Sequence, residues 1–257
     1  MEAEMKNIKV KNLQIGTGTP KICVSITEKT KQEIIEEALS LLHFPVDIIE
    51  WRADFFHKCL DKEEILAVLE ELEPNLKSIP LMFTLRSKEE GGQVSIENKD
   101  YEAINRTVAA SGLVDLIDVE AFKAEAASMD MIKSIQSLGV KVIASYHDFN
   151  KTPQKKDILY LLKRMKDFGG DILKIALMPK SKLDVLELME ALTLMKDQFS
   201  DIPVIAISMS DIGIVSRFTG EIFGSAITFA SAGKASAPGQ SMVEDLRKIL
   251  NLIHKMI

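Results

Sequence analysis

The stretch GGDILKIALMPK (169–180) reads as a strand with one residue out of place. Two glycines precede it, a proline follows, and Ile172, Leu173, Ile175, Ala176, Leu177 and Met178 surround Lys174 near its middle. Strand side chains alternate, so Leu173, Ile175 and Leu177 share one face while Ile172, Lys174 and Ala176 share the other. The first face suits packing beneath helices. The second carries a charge whose burial costs on the order of several kcal/mol unless it is paired, solvated or neutralised.

Working outward, seven similar runs appear: KICVSIT (21–27), VDIIEWRADF (46–55), PLMFTLR (80–86), LIDVEAF (116–122), KVIASYHDF (141–149), PVIAISM (203–209) and SAITFAS (225–231). Most are rich in Val and Ile, as buried parallel strands are. Amphipathic segments separate them. Thr30 with Glu33, Asp61 with Glu64, Ser181 with Asp184, and Ser241 with Glu244 have capping-box or near-capping-box spacing. Thr152 before Pro153 reads as another N-cap. Leu246, Ile249, Leu250 and Ile253 then follow helical spacing, and the segment 210–220 reads as a short helix at most. Eight strands alternating with helices predict an α/β fold, a (β/α)8 TIM barrel occupying residues 1–257 as a single domain. An open doubly wound sheet is disfavoured by the even spacing. It would also need a GxGxxG after the first strand, whereas Gly16 and Gly18 precede that strand and read as a turn. Residues 6–15, KNIKVKNLQI, alternate and are expected as a strand or hairpin closing the barrel's bottom.

Composition narrows the class. The chain has 257 residues, 46% apolar and 27% charged, with a net charge of −6. No basic stripe interleaved with aromatics occurs, so nucleic acid is not an expected partner. No apolar run reaches a membrane span, and the charged start MEAEMKNIKV has no secretory apolar core. Only Cys23 and Cys59 occur, beside 12 methionines, which fits a reducing cytoplasm.

Lys174 has polar company on the inward parity of other strands: Glu50 with Arg52, Thr84 with Arg86, Asp118 with Glu120, and Ser145 with His147. Most stand toward strand C-termini, where barrel enzymes build their sites. A lone lysine in a strand is more often a solvated tip, and inward charges can form a purely structural ion network. Charges on five strands favour a functional site. Apolar and cationic neighbours disfavour an ammonium, leaving an amine able to form Schiff bases. His147 can move protons near neutrality. Arg52, Arg86 and Arg217 suit a carboxylate held bidentately. His43, His57 and His254 are scattered without metal-ligand spacing, and no nucleotide motif occurs, so no metal or cofactor is expected. These residues alone point to an imine-forming lyase or an aldolase acting on a small carboxylate.

Further motifs give the chain a family. EWRADFF (50–56), FTLRSKEEGG (83–92), LIDVE (116–120), SYHDFN (145–150), LKIALMP (173–179), SMSDIGIVSRFTGEIFGSAITF (208–229) and SAPGQ (236–240) together resemble type I 3-dehydroquinate dehydratase. The resemblance implies a hydro-lyase of the shikimate pathway that converts 3-dehydroquinate to 3-dehydroshikimate, commonly as a homodimer. It implies that Lys174 is the Schiff-base lysine, His147 the proton carrier and Glu90 the carboxylate that orients it. By the same resemblance Arg217 grips the substrate carboxylate, and Glu50, Arg52 and Arg86 bind hydroxyls and order the site. Ser25, Phe149, Met209, Phe229, Ser236 and Gln240 match further pocket positions. Ile207 stands where some members carry Met, an apolar exchange of similar volume that touches pocket shape rather than chemistry. The loop SAGKASAPGQ (231–240) is implied to be a lid; taken alone, its Lys234 would instead suggest phosphate binding.

Overall fold

The computed structural model describes residues 7–76, 78–199, 201–233 and 235–257. A short hairpin, β1 (Ile8–Val10) and β2 (Leu13–Ile15), comes first. Eight strands follow: β3 (Lys21–Ile26), β4 (Ile48–Arg52), β5 (Leu81–Thr84), β6 (Leu116–Glu120), β7 (Lys141–Asp148), β8 (Ile172–Leu177), β9 (Val204–Ser208) and β10 (Ile227–Ala230). They form one parallel sheet in the order β10-β3-β4-β5-β6-β7-β8-β9. The ends of that order meet at a parallel bridge from Val204 to Ser225, and Ala226 N–H donates to Val204 O at 2.8 Å. The Ser225 hydroxyl accepts the Ala206 N–H across the same seam at 3.2 Å, so a side chain completes the ladder. The result is the expected (β/α)8 barrel.

Helices α1 (Lys31–Leu41), α2 (Lys62–Leu76), α3 (Asn98–Ser111), α4 (Glu125–Ser137), α5 (Lys155–Asp167), α6 (Lys182–Leu194), α7 (Val215–Phe218), α8 (Gly220–Phe223) and α9 (Val243–His254) surround the sheet. Thr30 and Ser181 form the expected capping boxes, and Asp61 accepts the N–H groups of Glu63 and Glu64. Two expected caps are not made. Ser241 and Met242 are drawn onto Ser231, whose N–H donates to Ser241 O and whose carbonyl accepts Val243 N–H, so α9 starts after Met242. The Thr152 hydroxyl donates to Met178 O, and α5 starts after Gln154. The run 46–55 also ends early as a strand. Asp54 takes the Arg52 guanidinium and the N–H groups of Arg86 and Gln93, which turns Ala53–Phe55 into a 3-10 turn. Segment 210–220 holds a 3-10 turn, Asp211–Gly213, then α7 and the start of α8.

Two cores result. Outward-facing strand residues, with Leu173, Ile175 and Leu177 among them, pack against the helices. Inside, each strand contributes one residue to an apolar floor: Cys23, Ile48, Met82, Leu116, Ile143, Ile172, Ile205 and Ile227. Ile8, Val10 and Ile15 of the hairpin join this floor and close the bottom. Two residues further up each strand stand Ser25, Glu50, Thr84, Asp118, Ser145, Lys174, Ile207 and Phe229, all buried. On six of the eight strands the step from the first set to the second is a step from apolar to polar or charged, and that step sets the level of the site. Among the described residues no helix is long and apolar enough to cross a membrane.

Candidate active site

Lys174 points inward as its parity requires, with Ile172 below it and Ala176 above. Its surroundings differ from the sequence expectation. Its Nζ donates to Asp118 Oδ2 at 3.0 Å, stands 3.9 Å from Glu50 Oε1, and lies 4.6 Å from the centroid of the Phe229 ring. The expected apolar and cationic setting is thus an anionic one at the nitrogen itself, with the cations one step further out. The cause is geometric: β6 and β8 flank β7, and in a closed barrel their inward side chains reach each other across it.

Asp118 also accepts from Arg86 Nη2 at 2.7 Å and from the Ser145 hydroxyl at 2.5 Å. Burial opposes its ionisation, but the Arg86 guanidinium and the Lys174 ammonium outweigh burial and hold the carboxyl well below the usual carboxylate range. Arg86 is buried and reaches Glu120 at 3.2 Å and Glu90 at 3.5 Å as well. Burial works against its charge, yet these carboxylates, Asp118 first, keep it firmly cationic. Glu50 accepts the Ser25 hydroxyl and, at 2.8 Å, the Thr84 hydroxyl.

His147 lies one inward step above Ser145, the residue paired in register with Lys174. Glu90 comes from the 3-10 turn Lys88–Glu90 beyond β5, and its Oε2 meets both the backbone N–H of His147 at 3.0 Å and Nδ1 at 2.9 Å. Gly91 ends that turn at φ 85°, and a side chain there would collide with the Phe149 ring. Burial lowers the proton affinity of His147 well below its ordinary value, with the charges of Arg86 and Lys174 adding to the effect. Burial raises Glu90 to about 8; Arg86 opposes, while Glu120 and Asp118 reinforce. The imidazole is therefore held neutral and anchored through Nδ1, which suits Nε2 to accepting a proton.

The three inward arginines are not equivalent. Arg86 is committed to the carboxylates above, and Arg52 is held by Asp54 at 2.8 and 2.9 Å. Arg217, on α7, is buried and donates only to carbonyls, Phe229 O at 3.3 Å and Pro238 O at 2.9 Å, while its Nε has no partner. Burial pulls its proton affinity down to about 10. Among the described residues no carboxylate pairs with it.

One cavity gathers these groups. Lys174, His147, Glu90, Ser25, Glu50, Arg52, Arg86, Phe149, Met209, Arg217, Phe229, Ser236 and Gln240 all line it, as does Ile207. Ser236 and Gln240 bond one another, Ser236 N–H to Oε1 at 2.8 Å and Nε2 to the hydroxyl at 3.0 Å. Lys234, on which the phosphate alternative rested, lies outside the described residues. Sequence reasoning saw Asp118 as inward but gave it no role, and it passed over Phe55, Gly91, Gln93 and Ala237 on the rim. Alternation marks which way Asp118 points but not that it spans to β8.

Known proteins resemble the chain closely. The family model of type I 3-dehydroquinase matches residues 22–257. A 3-dehydroquinate dehydratase of Clostridioides difficile is 47% identical over 252 residues, covering 98% of this chain and 99% of that one. One from Klebsiella pneumoniae is 46% identical over 246 residues, covering 96% and 98%. Among solved structures, type I 3-dehydroquinate dehydratase from Clostridium difficile, determined with covalently modified comenic acid, superposes at a TM-score of 0.96 with 47% identity over 98% of this chain and 100% of that one. The Geobacillus kaustophilus 3-dehydroquinate dehydratase superposes at 0.94 with 34% identity, covering 99% of each chain.

Proposed function

This chain belongs to the type I 3-dehydroquinase family and is a 3-dehydroquinate dehydratase, a hydro-lyase, and from that premise we propose that it converts 3-dehydroquinate to 3-dehydroshikimate through an imine on Lys174. The observation that carries the reading is a buried lysine facing, across one cavity, both an imidazole–carboxyl pair and a buried guanidinium without a carboxylate. Arg217 takes the substrate carboxylate, which supplies the charge its burial leaves uncompensated. Glu50, Ser25 and Arg52 meet the ring hydroxyls. Lys174 first passes one proton to the neutral His147, its amine attacks the C3 ketone, and the carbonyl oxygen leaves as water with that proton returned, so a protonated iminium results. That iminium draws electrons from C2, whose proton passes to His147 Nε2 while Glu90 holds Nδ1. The enamine expels the C1 hydroxyl, which leaves as water with the proton His147 returns. Hydrolysis then frees the product ketone and Lys174.

The whole chain acts in this reading as one catalytic barrel. Its place is the shikimate pathway, in the cytoplasm, where free Cys23 and Cys59 would persist. Residues 232–240 act as a lid that keeps bulk water from the enamine. Exposed Leu186 and Val215 border an apolar hollow and form the face through which a homodimer would assemble.

Borohydride trapping with 3-dehydroquinate tests the reading. The protein should gain one ligand mass on Lys174, and Lys174→Ala should gain none and retain no more than a few per cent of activity. Turnover of Lys174→Ala near the parent level would refute the imine.

A further inference from the structure

The mechanism above leaves one buried group without a task. Asp118 touches the reacting nitrogen of Lys174 and is itself held by two donors on its other oxygen. Arg86 Nη2 and the Ser145 hydroxyl both take Oδ1, at 2.7 and 2.5 Å, which leaves Oδ2 for Lys174 at 3.0 Å. We propose that Asp118 is the counter-ion of the Lys174 iminium: its Oδ2 accepts the iminium N–H and keeps the imine protonated until C2 loses its proton. This inference rests on the imine reading.

Charge balance supports it. The ammonium of the free protein passes one proton to the neutral His147 before attack. The carbinolamine then releases its oxygen as water, with one hydrogen from nitrogen and that first proton returned. The sum is RNH3+ plus a ketone giving RNH+=C plus water, so the nitrogen carries one positive charge before and after. One N–H remains, and Asp118 Oδ2 is the carboxylate oxygen already in hydrogen-bond contact with that nitrogen. Phe229 beneath it offers the face of its ring to either cation.

The remaining charges make a counter-ion necessary. Sharing the cavity with the nitrogen are Glu50 and Arg52 on β4, Arg86 beyond β5, Glu90 with His147, and Arg217, with Glu120 on β6 behind Arg86. Glu90 is bonded to His147 and Glu120 to Arg86, Glu50 stands 3.9 Å off and already accepts the Ser25 and Thr84 hydroxyls, and a substrate carboxylate would take up Arg217. A cation buried beside Arg86 would otherwise shed its proton, and a neutral imine is a much weaker electron sink. Asp118 is suited to prevent this because it stays ionised throughout the ordinary pH range. A carboxylate so held also makes C2 somewhat less acidic, but the loss is smaller than that of the iminium itself.

Borohydride reduces an iminium far faster than a neutral imine, so trapping reports protonation. Protein saturated with 3-dehydroshikimate, which carries the same ketone, should trap to a nearly constant extent between about pH 7 and 10. Asp118→Asn keeps the shape and one acceptor but removes the charge. Its trapped fraction should fall at lower pH and be at least tenfold smaller than the parent's at about pH 9. Superimposable profiles, or a loss equal at every pH, would overturn the counter-ion. If even the parent traps nothing, the imine reading itself fails, which is a different result. Should Asp118→Asn not fold, Raman spectra of the parent adduct at alkaline pH decide. A C=N stretch that drops in D2O marks a retained proton, and an unmoved one overturns the proposal.

Discussion

Replacing Arg217 by methionine should weaken substrate binding strongly and leave the stability of the free protein nearly unchanged. The guanidinium is buried, and burial alone lowers its proton affinity to about 10. A fall of more than a hundredfold corresponds to about 3 kcal/mol of unfavourable burial that Arg217→Met removes. The substitution forfeits the bonds to Phe229 O and Pro238 O, worth about 3 kcal/mol together because their donor is charged. The two effects nearly cancel, so Tm should stay within roughly 2–4 °C for a chain of this size. Catalysis should lose far more. Removing one partner of a desolvated guanidinium–carboxylate contact costs about 3 kcal/mol, a KM raised roughly a hundredfold. Thermal unfolding with and without product, together with steady-state kinetics, measures both. Saturating product should raise the parent's Tm but not the variant's. A fall of about 10 °C in the free variant would mean that Arg217 is a paired structural cation, as expected when a buried ion pair loses one partner. An unchanged KM would assign the carboxylate to another group.

Three further outcomes follow from the same geometry. His147→Ala should form the adduct yet stall before product, on the order of 100- to 10,000-fold slower; mass spectrometry without borohydride should find the adduct accumulating, and its absence would take the proton-carrying role from His147. Gly91→Ala forces a side chain into the Phe149 ring at φ 85° and so displaces the neighbouring Glu90; it should cost about 1–2 kcal/mol of stability and lower kcat more than it alters KM, whereas an unchanged kcat would show Glu90 to be placed independently of that glycine. Because burial raises Glu90 to about 8, folding favours its protonated form. That contribution is complete below the ordinary carboxyl range and is lost as pH rises through about 8, so the parent's Tm relative to that of Glu90→Gln should fall between about pH 5 and 9, and parallel curves would exclude Glu90 as the source.

Read from one end to the other, the sequence by itself determined the barrel and the direction of its inner charges. Alternation within 169–180 already separates Lys174 from Leu173 and Ile175, because in a strand the side-chain period is two. The eight evenly spaced Val- and Ile-rich runs carried the fold for the same local reason. Capping boxes at Thr30 and Ser181 were legible because their bonds span three residues. The cap expected at Ser241 failed because Ser231, ten residues back, claims that segment across the barrel rim. The contacts of Lys174 could not be read locally either. Asp118 lies 56 residues away on a strand that is not its neighbour, and only closure of the sheet brings the two together. The same closure decided among the arginines. Arg52, Arg86 and Arg217 look alike as sequence, and folding gives carboxylate partners to the first two and, among the described residues, carbonyls alone to the third. Pairing and desolvation are properties of what converges on a point in space, which a one-dimensional pattern does not contain.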